Sequence, residues 1–280
     1  MADDSSSGSS DDPTIVQIAF NYEPSKVAAG ITGGLYLLAG LALFTRLIKA
    51  KSWWGLCLPI ASLITCSGFF VRIALDSSPN SVGVFTVEQL FIIVTPAAFL
   101  AFNYILYGRF IVNCVDPKYS LIRPNRVARL FVCSDIITFL VQGGGGGLET
   151  SNNRTTGKIG VRILLVGLVL QLISYACFVV ILVHTHHKIV KDARTNGLEP
   201  WWKLIWLLYF SSVCILIRGI YRTAEFAQGQ GGYLVTHEIY FYLLDALPLL
   251  LAISIYIPFW PAKYLNSSID EYKMRQREVV

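Results

Sequence analysis

Charge is scarce in this chain. Only 15% of its 280 residues are Asp, Glu, Lys or Arg, against 54% hydrophobic residues and a mean hydropathy of +0.55. That shortage excludes an ordinary soluble domain of this length, which carries roughly a quarter of its residues as charges. Other absences narrow the chemistry. No GxSxG, HExxH or P-loop occurs, so the familiar hydrolase, zinc-protease and nucleotide signatures are missing. Of four histidines, His184, His186 and His187 crowd together, but no carboxylate follows at ligand spacing; a solvated interfacial cluster is the better reading than a metal centre. The six cysteines suit neither an extracellular disulfide framework nor a metal site. The chain therefore reads as a protein without catalytic residues, metal or cofactor. A membrane enzyme using Asp and Glu as acid and base is the weakest alternative.

Long apolar runs are what the chain has in place of charge. A spanning helix needs about 20 apolar residues, and these runs are too long and too poorly alternating for barrel strands. Seven spans are expected: Val27–Thr45, Trp53–Leu75, Val84–Tyr107, Val127–Gln142, Ile159–His184, Trp201–Tyr221 and Ile239–Trp260. Trp53, Trp54, Tyr107, Trp201, Trp202 and Trp260 stand at span ends, where an interfacial aromatic belt belongs. The fold class is an all-α integral membrane protein with seven transmembrane helices.

Most of the 23 Lys and Arg follow spans 1, 3, 5 and 7, including Arg46, Lys49, Arg109, Arg123, Lys188, Lys191, Lys263 and Arg275. The positive-inside rule puts those ends in the cytosol, the N-terminus outside and the C-terminus inside. The net charge of +5 then reflects topology, and a nucleic-acid footprint is the poorer explanation. Residues 1–25, with Asp3, Asp4, Asp11 and Asp12 among serines and no basic residue before Lys26, read as a disordered acidic extracellular tail rather than a cleaved signal peptide. Residues 26–262 form the seven-helix domain, and 263–280 a cytosolic tail. Asn153-Arg154-Thr155 is a glycosylation sequon on the outer side.

The remaining charges lie inside spans, where each is costly and counts as a functional-site hypothesis. Arg72 is near the outer end of span 2 and Glu88 near the outer start of span 3. Asp135 and Gln142 are seven apart on span 4, Glu238 and Asp245 seven apart on span 7, and Arg218, Arg222 and Glu225 follow an i, i+4, i+7 pattern on span 6. Each set makes one stripe. The stripes predict a net-acidic polar pocket between helices 2, 3, 4, 6 and 7 in the outer half, although ion pairs that merely fix helix register are the bland alternative. Gly143–Gly147 should break helix 4 at its outer end, since each glycine costs about 1 kcal/mol against alanine; the break would either shape an opening or leave a loop without a role. Pro96 and Pro248 are expected to kink helices 3 and 7, with Pro248 freeing carbonyls near Asp245. With no nucleotide motif, active pumping would need a gradient, and Asp245 is a candidate proton carrier.

The combination of Ser134-Asp135 with Gln142-Gly143-Gly144-Gly145, Arg218-x-x-Tyr221-Arg222-x-x-Glu225, and Glu238-x-x-x-Tyr242-x-x-Asp245-x-x-Pro248 resembles the fungal lipid-translocating exporter, or RTA-like, family over nearly the whole chain. The resemblance implies a plasma-membrane or endomembrane protein linked to sphingoid-base release, resistance to toxic amphiphiles and, in one branch, porphyrin or haem movement. Together with the polar positions inside the spans, it implies substrate-binding roles for Arg72, Glu88, Asp135, Gln142, Arg218, Arg222, Glu225, Glu238, Tyr242 and Asp245. The expected partner is a membrane lipid with an amphipathic, cationic character. A seven-helix receptor or stress sensor that binds a lipid in its outer pocket is the competing reading, with the same topology.

Overall fold

The computed structural model describes residues 25–77, 82–115, 120–149, 154–192, 201–229 and 232–265. Among them every regular element is helical: α1 (Lys26–Lys49), α2 (Cys57–Ser77), α3 (Val82–Cys114), α4 (Pro124–Glu149), α5 (Arg154–Asp192), α6 (Trp202–Gln228) and the composite segment α7 (238–254). Six helical stretches are long and apolar enough to cross a membrane. The chain is a multi-pass membrane protein. The acidic tail, residues 266–280 of the C-terminal tail and Asn153 of the sequon lie outside the described residues, as does the side chain of Glu88.

Local chemistry explains where the helices begin and bend. Ser25 caps α1 by accepting from the Ala28 N–H at 3.4 Å, and Arg46 and Lys49 sit in the last turn against the negative end of the dipole. Pro96 lies inside α3 and can supply no N–H to the carbonyl of Ile92, one turn earlier. Gly229, at φ 72°, ends α6. α7 runs as a short α-turn Glu238–Tyr240, a π-helical turn Phe241–Ala246 and a final α-helix Leu247–Ser254. The wide turn shows in the Leu247 N–H, which reaches back to the Tyr242 carbonyl, and it falls immediately before Pro248.

The exterior is apolar and the interior holds the charge. Ile137, Leu140 and Val180 are about two-thirds exposed, whereas Arg72, Asp135, Arg218, Arg222 and Asp245 are all buried. A water-soluble protein reverses this arrangement; a lipid-facing bundle requires it. Aromatic rings fill the centre, with Phe178 edge-on to Tyr104 and Tyr107, and Phe102 edge-on to Tyr256.

The glycine run departs from expectation. α4 continues without a break through Gly143–Gly147 to Glu149. The cause is contact with α5: a Cβ on Gly145 would stand 2.5 Å from the Leu164 nitrogen and 2.8 Å from the Gly160 oxygen. On the facing helix, a Cβ on Gly167 would stand 2.6 Å from Gln142 Cγ. Small residues let the two backbones touch, and membrane helices associate by such packing. Tertiary contact has outweighed glycine's poor helix propensity. Gly145→Ala should therefore lower the thermal stability of the purified protein in detergent by about 1–3 kcal/mol. Gly143→Ala, with nothing within 4 Å of the new methyl, should leave it unchanged or raise it.

Candidate functional site

α6 presents Arg218, Arg222 and Glu225 along one face, and the π-turn of α7 presents Asp245 to them. Asp245 is clasped from two sides. Arg218 Nε lies 2.9 Å from Oδ1, while Arg222 donates through Nε to Oδ1 and through a terminal nitrogen to Oδ2, both at 3.0 Å. The second contact is the bidentate fork that matches guanidinium to carboxylate. Arg222 also donates to Glu225 Oε2 at 3.1 Å, and the Tyr221 hydroxyl donates to Glu225 Oε1 at 3.4 Å. Arg218 uses a terminal nitrogen to reach the Ile92 carbonyl at 3.4 Å. That carbonyl is the one Pro96 leaves without a helical donor, so the proline in α3 creates an acceptor that α6 fills.

The network extends through an aromatic ring. Phe241 has the Arg222 guanidinium 5.4 Å from its centroid and the Arg72 guanidinium 4.8 Å away. Arg72, from α2, lies 3.7 Å from Glu238, whose two oxygens accept the Ser25 N–H at 3.0 Å. A desolvated guanidinium over a ring gains on the order of 2 kcal/mol, so Phe241 couples the two arginines without adding charge. Tyr242, the next residue, stacks on Phe69 with centroids 6.2 Å apart. It belongs to the aromatic packing beside the ion network.

Gln142 arrives from α4 on the opposite side. Its side-chain amide donates to Gln171 of α5 at 2.9 Å. Gln142, Gln171, Leu164 and Leu168 form one wall of a crevice whose other wall is Arg218, Arg222 and Phe226. Its free volume is about 10 Å³, room for roughly one water molecule. The crevice is closed to any lipid headgroup in this conformation.

Asp135 stands apart. It accepts from the Tyr104 hydroxyl at 3.0 Å, and seven residues of helix separate it from Gln142, roughly 10 Å along α4. Beside it runs a layer of neutral polar groups in which Asn103 donates to Tyr175 and Ser211, Tyr175 to Ser212, and Tyr256 to Asn103. The expected single pocket is thus two levels. One is an ion network in which Arg72, Arg218 and Arg222 meet Glu225, Glu238 and Asp245 in equal numbers; the other is a neutral layer holding one carboxyl. Among the described residues the network is charge-balanced and Asp135 is not part of it; the Glu88 side chain lies outside the described residues. Asp245 is held by two arginines at once.

Sequence reasoning misses Gln171, Phe241 and the Ile92 carbonyl. Gln171 is legible as the lone amide in the apolar run 163–173, and Ile92 as the residue four before Pro96. Phe241 carries no signal, since a phenylalanine in an apolar span is ordinary.

Comparison with known proteins agrees with this architecture. Residues 58–268 match the family model described as "RTA1 like protein". The chain is similar to Protein RTM1 of Saccharomyces cerevisiae, 28% identical over 68% of this chain and 62% of the relative. It is also similar to Protoporphyrin uptake protein 1 of that yeast, 29% identical over 74% of this chain and 67% of the relative. Sphingoid long-chain base transporter RSB1 is 24% identical over 80% of this chain and 69% of its own length. The match therefore spans a little over three-fifths of the first of these relatives. No solved structure matches the chain significantly.

Asp245→Asn would leave Arg218 and Arg222 buried beside a neutral amide. The expected loss is about 3–5 kcal/mol, as for a buried pair stripped of one partner, read as the thermal unfolding of detergent-purified protein. Adding Arg218→Gln to that variant should recover part of the loss, since one of the two stranded cations is then gone.

Proposed function

This chain belongs to the RTA1-like protein family, and from that premise we propose that it translocates amphipathic lipids, with sphingoid long-chain bases and similar amphiphiles as the substrate class. The observation that carries the reading is the charge-balanced network on the wall of the crevice, inside a bundle whose outside is apolar. A headgroup can enter such a network only by exchanging partners. An ammonium head would take Asp245 or Glu225 from an arginine, its hydroxyls would meet Gln142 and Gln171, and its chain would stay in lipid between the helices. An amphiphile with a carboxylate would instead take Arg218 or Arg222. A balanced network thus suits relatives whose names specify cargos as different as a sphingoid base and a protoporphyrin better than a purely acidic pocket would.

In this reading α7 is the seventh membrane crossing, the end of the bundle at which α1 begins faces outward, and the C-terminus is cytosolic. The protein is a multi-pass resident of the plasma membrane, and it transports without acting as an enzyme. The closed crevice is the resting, occluded form. Opening requires α6 to part from the wall made by α4 and α5, exposing the ion network to lipid and water together.

Proteoliposomes holding the purified protein and a labelled sphingoid base test this. The label should move between leaflets faster than in protein-free vesicles, and Leu168→Trp, which fills the crevice, should slow that movement about tenfold, some 1.4 kcal/mol in the barrier. Binding without movement would replace the transport reading with a receptor, and neither binding nor movement would overturn both.

A further inference from the structure

The neutral layer contains a carboxyl that the ion network does not explain. Asp135 is 2% exposed. Its Oδ2 accepts a hydrogen bond from Tyr104, and its Oδ1 has no hydrogen-bond partner among the described residues. Among the described residues no Lys, Arg or His forms an ion pair with it; the buried ion pairs all belong to the network of Arg72, Arg218, Arg222, Glu225, Glu238 and Asp245 on α2, α6 and α7. Among the described residues the titratable groups that interact with it are the phenols Tyr104 of α3 and Tyr175 of α5, whose rings lie 6.1 Å apart, and neither can supply a positive charge.

A carboxylate in such a place holds its charge at great cost, because one phenolic hydrogen bond replaces a full hydration shell. Two occupants could remove that cost, a metal cation or a proton. A cation asks for several oxygen ligands around it, and among the described residues no group of three His, Cys, Asp or Glu side chains gathers there or elsewhere. A proton asks for one free oxygen, and Oδ1 is that oxygen.

We propose that Asp135 is an intramembrane proton-binding site, neutral in this occluded form, and that its proton is the ion coupled to lipid movement. An O–H bond forms at Oδ1 with a proton taken from water. The bond breaks, returning the proton to water, when the bundle opens and hydrates the carboxylate. The neutral Asn103–Tyr175–Ser211–Ser212–Tyr256 hydrogen bonds line the level at which this happens. The coupling half of the proposal rests on the transport reading given above; the proton-binding half does not.

The two halves have separate tests. Infrared difference spectra of the purified protein in liposomes, wild type minus Asp135→Asn, should show the carbonyl stretch of a protonated carboxylic acid at about pH 7, well above the ordinary Asp range near 4. Tyr104→Phe, which removes the hydrogen bond to Oδ2, should shift that band, so the test survives if the Asn variant fails to fold. An ionised carboxylate signal at neutral pH in its place overturns the site. For coupling, vesicles with a pH-sensitive dye inside should show proton movement on addition of a sphingoid base, reduced at least about tenfold in Asp135→Asn. The acid band with lipid movement but no proton movement keeps the site and overturns the coupling. The acid band without lipid movement keeps the site and overturns the transport reading, and the coupling with it.

Discussion

One carboxylate between two guanidiniums holds the site end of this bundle together. Asp245 reaches Arg218 and Arg222 at 2.9–3.0 Å from the π-turn of α7, and each arginine then carries the connection elsewhere. Arg218 continues to the α3 carbonyl exposed by Pro96, and Arg222 continues to Glu225 and, through Phe241, to Arg72 on α2. Four helices are thus linked through the arginines that hold this side chain. In hydrocarbon such an arrangement has no cheap partial form, because any one missing partner strands a charge. That is the physical reason for two arginines and two local helix defects, a proline in α3 and a π-turn in α7, all serving one aspartate.

The separation of the polar interior into two levels gives the function its shape. The upper level pairs three arginines with three carboxylates among the described residues, and under the proposed function it trades partners with a headgroup; the lower level is neutral except for one carboxyl. Seven residues of α4, roughly 10 Å, separate Asp135 from Gln142, and among the described residues no arginine of the network forms an ion pair with Asp135. Under the two proposals, head recognition falls to Gln142 and proton storage to Asp135, different residues on the same stripe of α4.

Much of this architecture is legible in the amino-acid sequence. Helical spacing alone picks out the stripes Arg218–Arg222–Glu225 and Glu238–Asp245, and the family resemblance points to the same residues. Depth is not legible: a spacing of seven places Asp135 and Gln142 on one face but also two turns apart, and pattern alone merges them into one pocket. The glycine run misleads for a related reason. Propensity describes an isolated helix in water, whereas Gly145 and Gly167 sit where a neighbouring helix occupies the space of the missing side chains. Phe241 and the Ile92 carbonyl stay invisible because a ring and a backbone oxygen acquire meaning only from what is placed against them.

The backbone contact between α4 and α5 also decides how the crevice can widen. Two helices touching main chain to main chain, with Gln142 tied to Gln171 across the seam, behave as a single plank. The backbone contact and the amide bond across it hold the plank together. Under the proposed function the yielding edge is then the one along α6, where an entering headgroup meets both amides of the plank on one side and the arginines on the other.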